Sequence, residues 1–315
     1  MATLPTLRQM QFFAALVRRG SFSQAAGDCF VSQSTLSAGV KEFETILGAP
    51  LVDRTARGFA LTPLGEEVAG RAEAMLAMAG EMVRVAEAKP PLTGDLRLGL
   101  IPTIGPFLLP RVIPRLDEAY PSLRLYLREE LTEALVAGLR AGRLDVAVLA
   151  LPVEADGLDS LVFASDPFVF VCRPDHGLAG RESVTSAEIA GEHLLLLEDG
   201  HCLREHALSA CRLQDRRVAD AFGATSLFTL SQMVRSGLGT TLLPKLAVDQ
   251  GLAAGAGLAA VPVRDGAASP ARELGLAWRR GSGREAEARA LAGLMGEEAA
   301  PGSQRTHGRS GPVPC

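Results

Sequence analysis

Two cysteines in the segment LEDGHCLREHALSAC (197–211) have the residue type and spacing best suited to chemistry. Cys202 follows a turn at 198–200 and can open a helix, with His201 and Arg204 as cationic neighbours. A helix N-terminus and nearby positive charge both stabilise a thiolate, the form of cysteine that attacks the O–O bond of a peroxide. The product is a sulfenic acid, with which a second thiol can condense. Two buried cysteines in a core helix are the alternative interpretation.

The spacing of Cys202 and Cys211 sets a condition on any bond between them. Nine residues of helix span about 13 Å, because each residue rises by about 1.5 Å. A disulfide needs its two Cα atoms within about 7 Å of each other. The two thiols can therefore pair only after the helix melts or bends, and oxidation that joined them would be coupled to refolding.

The other cysteines and the histidines do not indicate a metal site. The chain has five cysteines and no CxxC pair, which disfavours both a secreted disulfide framework and a zinc site with four cysteine ligands. Cys29 and Cys172 are interpreted as small core residues, and Cys315 is assigned no role. No ligand spacing connects the remaining histidines: His176, His193, His206 and His307. We therefore expect neither a bound metal nor a cofactor.

Composition and charge distribution narrow the class of protein. The 315 residues are 47% hydrophobic and 22% charged, which fits roughly two soluble domains. No apolar run approaches the length of about 20 residues that a membrane helix needs, and the first residues do not resemble a signal peptide, so a cytoplasmic protein is expected. Residues 1–62 carry six basic and four acidic side chains, or +2, which leaves −6 for the remainder of a chain of net charge −4. A mildly basic end on an acidic body suits a protein that reads DNA selectively.

Residues 1–62 predict three short helices followed by a two-stranded wing over 50–62. Capping residues begin the helices and a glycine ends the last one: Thr6, Ser21, Ser32 and Gly48. The second helix is expected from Gln24 to about Asp28. The third has an apolar stripe that must face a core: Leu36, Val40, Phe43 and Leu47. Its opposite face is small, polar and exposed, as in a helix that enters the major groove of DNA, although a bundle with a solvated face would look the same.

The expected contacts with double-stranded DNA lie on that outward face and in the wing. They are Ser32, Gln33, Ser34, Thr35, Ser37, Lys41 and Arg54. Short side chains allow the helix to sink into the groove, while its N-terminus and the basic wing meet phosphates.

A long helix is predicted over 63–88, and it carries a heptad repeat. Val68, Met75 and Met82 recur every seven residues. Alanines interleave with them: Ala72, Ala79 and Ala86. This pattern is typical of a coiled-coil seam and predicts a homodimer that doubles the contacted DNA, although a core helix could show the same stripe.

After a linker at Pro90 and Pro91, short apolar strands alternate with amphipathic helices. The strands are expected over 96–101, 123–127, 145–150, 168–172, 194–197, 240–243 and 274–278. The alternation predicts an α/β fold with mostly parallel sheets. The domains are expected to be a winged helix-turn-helix over 1–62, a linker helix over 63–89, an α/β domain over 92–296 and a disordered tail over 297–315.

Two stretches in the N-terminal part resemble the winged helix-turn-helix of LysR-type transcriptional regulators: SFSQAAGDCFVSQSTLS (21–37) and LGAPLVDRTARGFALTPLG (47–65). The resemblance covers residues 4–296 and implies a two-lobed α/β effector domain like a periplasmic binding protein. GLIPTIGPFLLP (99–110) and LLLLEDGHCLREHALSAC (194–211) are similar to the peroxide-sensing OxyR group of this family. Two residues depart from the pattern: Gly223, where that group has an Arg, and Ser34, where a Pro is common.

The resemblance implies a transcriptional activator of the oxidative-stress response with a reversible disulfide between Cys202 and Cys211. It also implies that Thr103, Thr132 and His201 orient hydrogen peroxide, although each could equally be a helix cap or turn residue. Thr103 independently lies at the carboxyl end of a strand, where open α/β sheets bind ligands. The family further implies dimers that assemble into a homotetramer and a contact with RNA polymerase.

Two other functions remain open from the residues. A regulator of the same family could sense a small metabolite in the cleft near Thr103 without any redox step. A thiol peroxidase joined to a DNA-binding domain is the second alternative. The sequence has no Ser–His–Asp motif and no phosphate loop, so we expect that the protein is not an enzyme.

Overall fold

A computed structural model describes residues 3–53, 59–87, 90–153, 155–213 and 224–299. It contains an N-terminal head, a long connecting helix and a two-lobed α/β body. Several residues singled out above lie outside the described ranges: Arg54, Gly223, His307 and Cys315. None of the described helices is long and apolar enough to cross a membrane.

The head consists of α1 (Leu7–Arg19), α2 (Phe22–Asp28), α3 (Gln33–Leu47), β1 (Val52–Asp53) and β2 (Ala60–Leu61). The capping predictions for Thr6, Ser21 and Ser32 are confirmed, since each side chain accepts a hydrogen bond from the backbone three residues on. Because Ser21 is itself the cap, α2 begins at Phe22, two residues earlier than expected.

The apolar stripe of α3 faces the head core except at its last member. Leu36, Val40 and Phe43 are buried, whereas Leu47 is 39% exposed. The prediction that Leu47 faces the core is therefore wrong. It stands on the last turn, just before Gly48 ends the helix in the left-handed conformation (φ 73°), and the head core does not extend to that turn.

The long helix α4 (Pro63–Glu87) joins the head to the body. Its first turns pack into the head through Ala69 and Ala72, whereas Met75 and Met82 of the heptad are 49% and 69% exposed. Further along, α4 lies against the body through two ion pairs: Glu73 with Arg143 (3.3 Å) and Glu81 with Arg279. Ala77 lies so close to Gly142 that a Cβ added there would be 2.1 Å from the Ala77 Cβ.

The body contains most of the strands and helices. Its first part comprises β3 (Gly94–Leu100), α5 (Gly105–Ala119), β4 (Leu123–Glu129), α6 (Thr132–Arg140), β5 (Val146–Leu151) and β6 (Leu158–Cys172). The remainder comprises α7 (Ser186–Ile189), β7 (Leu194–Leu195), α8 (Cys202–Ala210), α9 (Leu227–Arg235), β8 (Thr240–Pro244), α10 (Lys245–Asp249), α11 (Leu252–Gly255), β9 (Ala259–Pro262), β10 (Ala271–Arg279) and α12 (Glu285–Ala299).

One mixed sheet runs through both lobes of the body, in the order β4-β3-β5-β10-β6-β8-β7, with β9 also paired to β6. Strands β3, β4 and β5 are parallel, as are β7 and β8. The expectation of mostly parallel pairing is wrong at the centre, where β10 and β6 pair antiparallel with each other and with their neighbours. The reason is that β6, with 15 residues, crosses between the lobes: its first part pairs with β10 and its second with β8 and β9.

Each lobe has its own apolar core. The first lies around β3, β5 and β10, and the second around the end of β6 with β8 and β9. The helix α12 packs on the first lobe and extends to Ala299, three residues beyond the expected end of the α/β domain at 296. Glu298 belongs to that ordered helix, where its carboxylate accepts a hydrogen bond from Arg115 at 2.6 Å.

Candidate functional site

The two cysteines mark the two ends of α8. His201 is the N-cap in extended conformation, Cys202 is the first helical residue and Cys211 is the C-cap. Nine helical steps place the cysteines about 13 Å apart along the axis. At about 100° per residue, the same nine steps also place them on opposite faces of the helix. A bond between them is therefore excluded in this conformation by direction as well as by distance.

The two faces of α8 pack against different lobes. Cys202 is half-buried and packs against the core of the first lobe. Leu203, Ala207 and Cys211 belong to the core of the second lobe. The helix therefore lies between the lobes, with one cysteine turned towards each.

Cys211 is held inside the second lobe. Its side chain is 1% exposed and hydrogen-bonded to the Ser186 side chain. Burial raises the pKa of the Cys211 thiol to about 11. The hydrogen bond with Ser186 acts to lower this pKa, and the negative charge of Asp265 acts to raise it. Ser186 is itself fixed by Asp265, whose carboxylate accepts from the serine N–H at 2.9 Å and from its hydroxyl at 2.7 Å. This support could not be predicted from local sequence, because Asp265 lies 79 residues from Ser186.

A buried ion pair fixes Thr103 near the first-lobe face of α8. Arg272, on β10, donates to Asp166, on β6, at 2.9 Å, and also to the Thr103 hydroxyl at 2.8 Å and carbonyl at 2.9 Å. Asp166 accepts a further hydrogen bond from the backbone of Leu246 at 2.9 Å. Sequence reasoning missed Arg272 and Asp166, since the Thr103 contact spans 169 residues and a single arginine in a strand carries no local signal.

Thr132 does not cap a helix. It is the first residue of α6, whose N-cap is Leu131, and its hydroxyl oxygen is buried with no hydrogen-bond partner in the part of the chain that the structure describes. Nδ1 of His206, on α8, is likewise buried and has no partner there. The role of His206 was missed from the sequence, although its spacing of four residues from Cys202 places both residues on one face of a helix.

Three loops bring the expected ligand residues to one side of the sheet. Thr103 follows β3 and Thr132 follows the adjacent parallel strand β4, so the two loops emerge at the same edge. The turn before His201 reaches the second of these loops, since a Cβ on Gly200 would be 3.6 Å from the Leu131 side chain. His201 is 8% exposed and Thr103 is 3% exposed. The structure thus places the three residues beyond the carboxyl ends of strands, around the start of α8, with Thr132 in the first turn of α6.

Comparison with known families identifies both parts of the chain. Residues 7–66 match the bacterial regulatory helix-turn-helix protein of the lysR family, and residues 90–300 match the LysR substrate binding domain. This chain belongs to the LysR family of transcriptional regulators.

Individual LysR-type relatives match along most of the chain. The HTH-type transcriptional regulator EstR of Acinetobacter baylyi is 43% identical over 251 residues, which cover 79% of this chain and 83% of the relative. A probable hydrogen peroxide-inducible genes activator of Streptomyces viridosporus is 41% identical over 295 residues, which cover 93% of this chain and 94% of the relative.

Solved structures of OxyR proteins share the fold. A full-length OxyR variant from Pseudomonas aeruginosa matches with a TM-score of 0.77 at 34% identity, covering 93% of this chain and 98% of the other. A Corynebacterium glutamicum OxyR mutant with hydrogen peroxide bound matches with a TM-score of 0.65 at 33% identity, covering 95% of this chain and 94% of the other.

The helix-turn-helix of this LysR-type regulator is its DNA-binding unit, and α3 presents a polar outer face. The exposed members of the expected contact set are Ser32, Gln33, Ser34, Thr35 and Lys41, and Ser37 is half-buried. The Ser32 hydroxyl lies 2.8 Å from the hydroxyl of Ser34 and 2.8 Å from that of Thr35. Ser32 therefore holds the first turn of α3 together, which leaves Gln33 and Lys41 as the longer side chains available at this surface.

Proposed function

We propose that this LysR-type regulator is a transcriptional activator that senses hydrogen peroxide through a reversible disulfide between Cys202 and Cys211. The observation that carries the proposal is the position of α8, which turns Cys202 towards one lobe and Cys211 into the core of the other. The names of the Streptomyces relative and of the OxyR structures support peroxide as the signal. Because α8 must be rebuilt before the thiols meet, oxidation changes the contact between the lobes.

The chemistry proceeds in two balanced steps. The sulfur of Cys202 attacks one peroxide oxygen, so that an S–O bond forms and the O–O bond breaks, and the departing oxygen takes up the thiol proton and leaves as water. The Cys211 thiol then condenses with the sulfenic acid, which forms the S–S bond and releases water. The second step requires Cys211 to leave Ser186 and the second-lobe core.

The polar groups around the start of α8 suit peroxide, which both donates and accepts hydrogen bonds. The Thr103 hydroxyl already accepts from Arg272, so its own proton is directed to another acceptor. The Thr132 hydroxyl has no partner within the described protein. We propose that these two hydroxyls, together with His201, hold peroxide in line with the Cys202 sulfur.

The DNA-binding proposal rests on the outer face of α3. We propose that the residues in contact with the duplex are Ser32, Gln33, Ser34, Thr35, Ser37, Lys41 and the wing residue Arg54. The exposed heptad methionines of α4, Met75 and Met82, are proposed to pair with a second copy of the chain. We further propose that dimers assemble into a tetramer that contacts RNA polymerase on DNA. Lys41→Ala should reduce the dependence of log affinity on log salt by about one phosphate contact.

Mass mapping of thiols tests the sensor proposal directly. The reduced chain is treated with one equivalent of hydrogen peroxide, digested without reduction and analysed for linked peptides. We expect a linkage between Cys202 and Cys211, with Cys29 and Cys172 remaining free as internal controls. A sensor should consume about one peroxide per reduction cycle, whereas continuous turnover with a thiol reductant would indicate a peroxidase. Unchanged thiols would contradict the proposal and favour a metabolite as the effector.

A further inference from the structure

His206 is a polar residue of α8 that has no role in the two-step disulfide chemistry proposed above. It follows Cys202 by four residues, so the two side chains share one face of the helix, with Cβ atoms about 6 Å apart. Its Nδ1 atom is shielded from solvent and has no hydrogen-bond partner among the described residues. Leaving a buried polar atom unpaired is unfavourable, so the site gains a hydrogen bond when a further donor or acceptor enters.

The charges around His206 favour a neutral imidazole. The helix α8 packs on β10, which carries the buried guanidinium of Arg272. Burial, followed by the positive charge of Arg272, lowers the pKa of His206 below its ordinary value, while Glu205 on the same helix acts in the opposite direction. The pairing of Arg272 with Asp166 offsets part of the guanidinium charge. A neutral imidazole at neutral pH has a ring nitrogen free to accept a proton.

We propose that His206 is the proton shuttle for the reaction of Cys202 with peroxide, an inference that rests on the proposed function. The thiol proton of Cys202 passes to Nδ1 of His206, and the sulfur attacks one peroxide oxygen. An S–O bond forms as the O–O bond breaks, and His206 returns the proton to the departing oxygen. The products are the Cys202 sulfenic acid and water, with two electrons transferred from sulfur to peroxide. Hydroxide therefore never has to leave into a partly buried site.

The test measures sulfenic acid formation in a chain that cannot resolve it. In the Cys211→Ser background, the second-order rate with hydrogen peroxide is followed from pH 5 to 9 by dimedone trapping and intact mass. With His206 present, the rate should fall on the acid side with a midpoint below about 6.5, the ordinary pKa of histidine. His206→Gln retains the size and hydrogen bonding of the side chain but cannot carry a proton. It should reduce the rate at pH 7 by about 100-fold and abolish that acid limb.

A matched control variant and two contrary outcomes distinguish failure of the proton-shuttle proposal from failure of the peroxide-sensor proposal. His193→Gln changes an exposed histidine of the same lobe and should leave both rate and pH profile unaltered. If His206→Gln keeps the same rate and the same acid limb, the shuttle is refuted, while sulfenic acid formation itself still supports peroxide sensing. If the His206 chain forms no dimedone adduct at any pH, the sensor proposal itself fails. If the rate of the protein that retains His206 does not fall at acid pH, the proton-shuttle proposal is refuted without any His206 variant. A folding defect of His206→Gln therefore cannot mask the result.

Discussion

The two ends of α8 differ in how completely their polar groups are satisfied. Around Cys202 lie a threonine hydroxyl and an imidazole nitrogen that have no partner among the described residues, beside a buried arginine. Around Cys211, which lies in an apolar core, the polar groups form a chain through the buried Ser186 to the exposed carboxylate of Asp265. The polar groups at the first end can still form hydrogen bonds, whereas those at the second are already paired with each other. In the proposed switch, the barrier to disulfide formation therefore lies at the Cys211 end, while the chemistry begins at the Cys202 end.

Exchanging the cysteines one at a time should give the largest effect. Cys202→Ser should abolish the reaction with peroxide, because the other thiol is buried and protonated at neutral pH. Cys211→Ser should react at the normal rate and stop at the sulfenic acid, which further peroxide then over-oxidises. Intact mass with and without dimedone distinguishes the two variants. A fast reaction in Cys202→Ser and none in Cys211→Ser would reverse the comparison.

Removing the buried cation beneath the Cys202 end should destabilise the whole body. Arg272→Leu leaves the Asp166 carboxylate buried without its partner, which should lower the free energy of unfolding by about 3–5 kcal/mol. The measurement is denaturant unfolding followed by circular dichroism.

The matched control for Arg272 is an exposed ion pair between the same two strand regions. Arg280 pairs with Asp159 at 2.9 Å in solvent, so Arg280→Leu should leave the unfolding midpoint unchanged. The double change Arg272→Leu with Asp166→Leu should recover part of the lost stability, because no lone charge remains buried. Equal losses at both sites would show that burial does not distinguish the two pairs.

Alkaline pH should weaken the Cys211 end selectively. The folded pKa of about 11 lies above the ordinary thiol value of 9.0, so the contribution of this group to stability is fully present below pH 9 and is lost as pH rises towards 11. The loss should reach about 3 kcal/mol at most, at about 1.4 kcal/mol per pH unit.

Unfolding free energies at pH 8 and pH 11 test this sign. Cys211→Ala should reduce the alkaline loss relative to the unchanged chain. Cys172, whose pKa burial also raises to about 11, remains in both proteins and contributes equally. An identical alkaline loss in Cys211→Ala and in the unchanged chain would contradict the assignment.

Loosening the hold on Cys211 should have the smallest effect. Ser186→Ala removes the hydrogen bond to the thiol, which is worth about 1 kcal/mol and is broken before the disulfide can form. Conversion of the sulfenic acid to the disulfide should therefore be about fivefold faster, as followed by quenched-flow mass analysis. The first step at Cys202 should keep its rate, which serves as the internal control. Slower conversion would mean that Ser186 assists the resolving step.

The sequence predicted what depends on near neighbours and missed what depends on distant ones. Helix caps at Thr6 and Ser32 follow from hydrogen bonds within three residues, and the structure confirms them. The first half of β6 and the whole of β9 were missed, because each forms a strand by pairing with a distant segment: β10 for the first half of β6, and the end of β6 for β9. The unpartnered Nδ1 of His206 emerged only once α8 was packed on β10, since neither spacing nor composition determines which side chains remain unsatisfied.

The close contact of α4 with Gly142 makes that helix a lever. From Ala77, at the contact, to Pro63, where the helix meets the head, lie about 21 Å of rigid helix. One degree of tilt at Gly142 therefore moves the head end by about 0.4 Å. A tilt of about ten degrees therefore moves the head end by a distance close to the rise of one base pair, which is about 3.4 Å. The close approach of Ala77 to Gly142 therefore determines how a rotation of the body would translate into a shift of the head along a double helix.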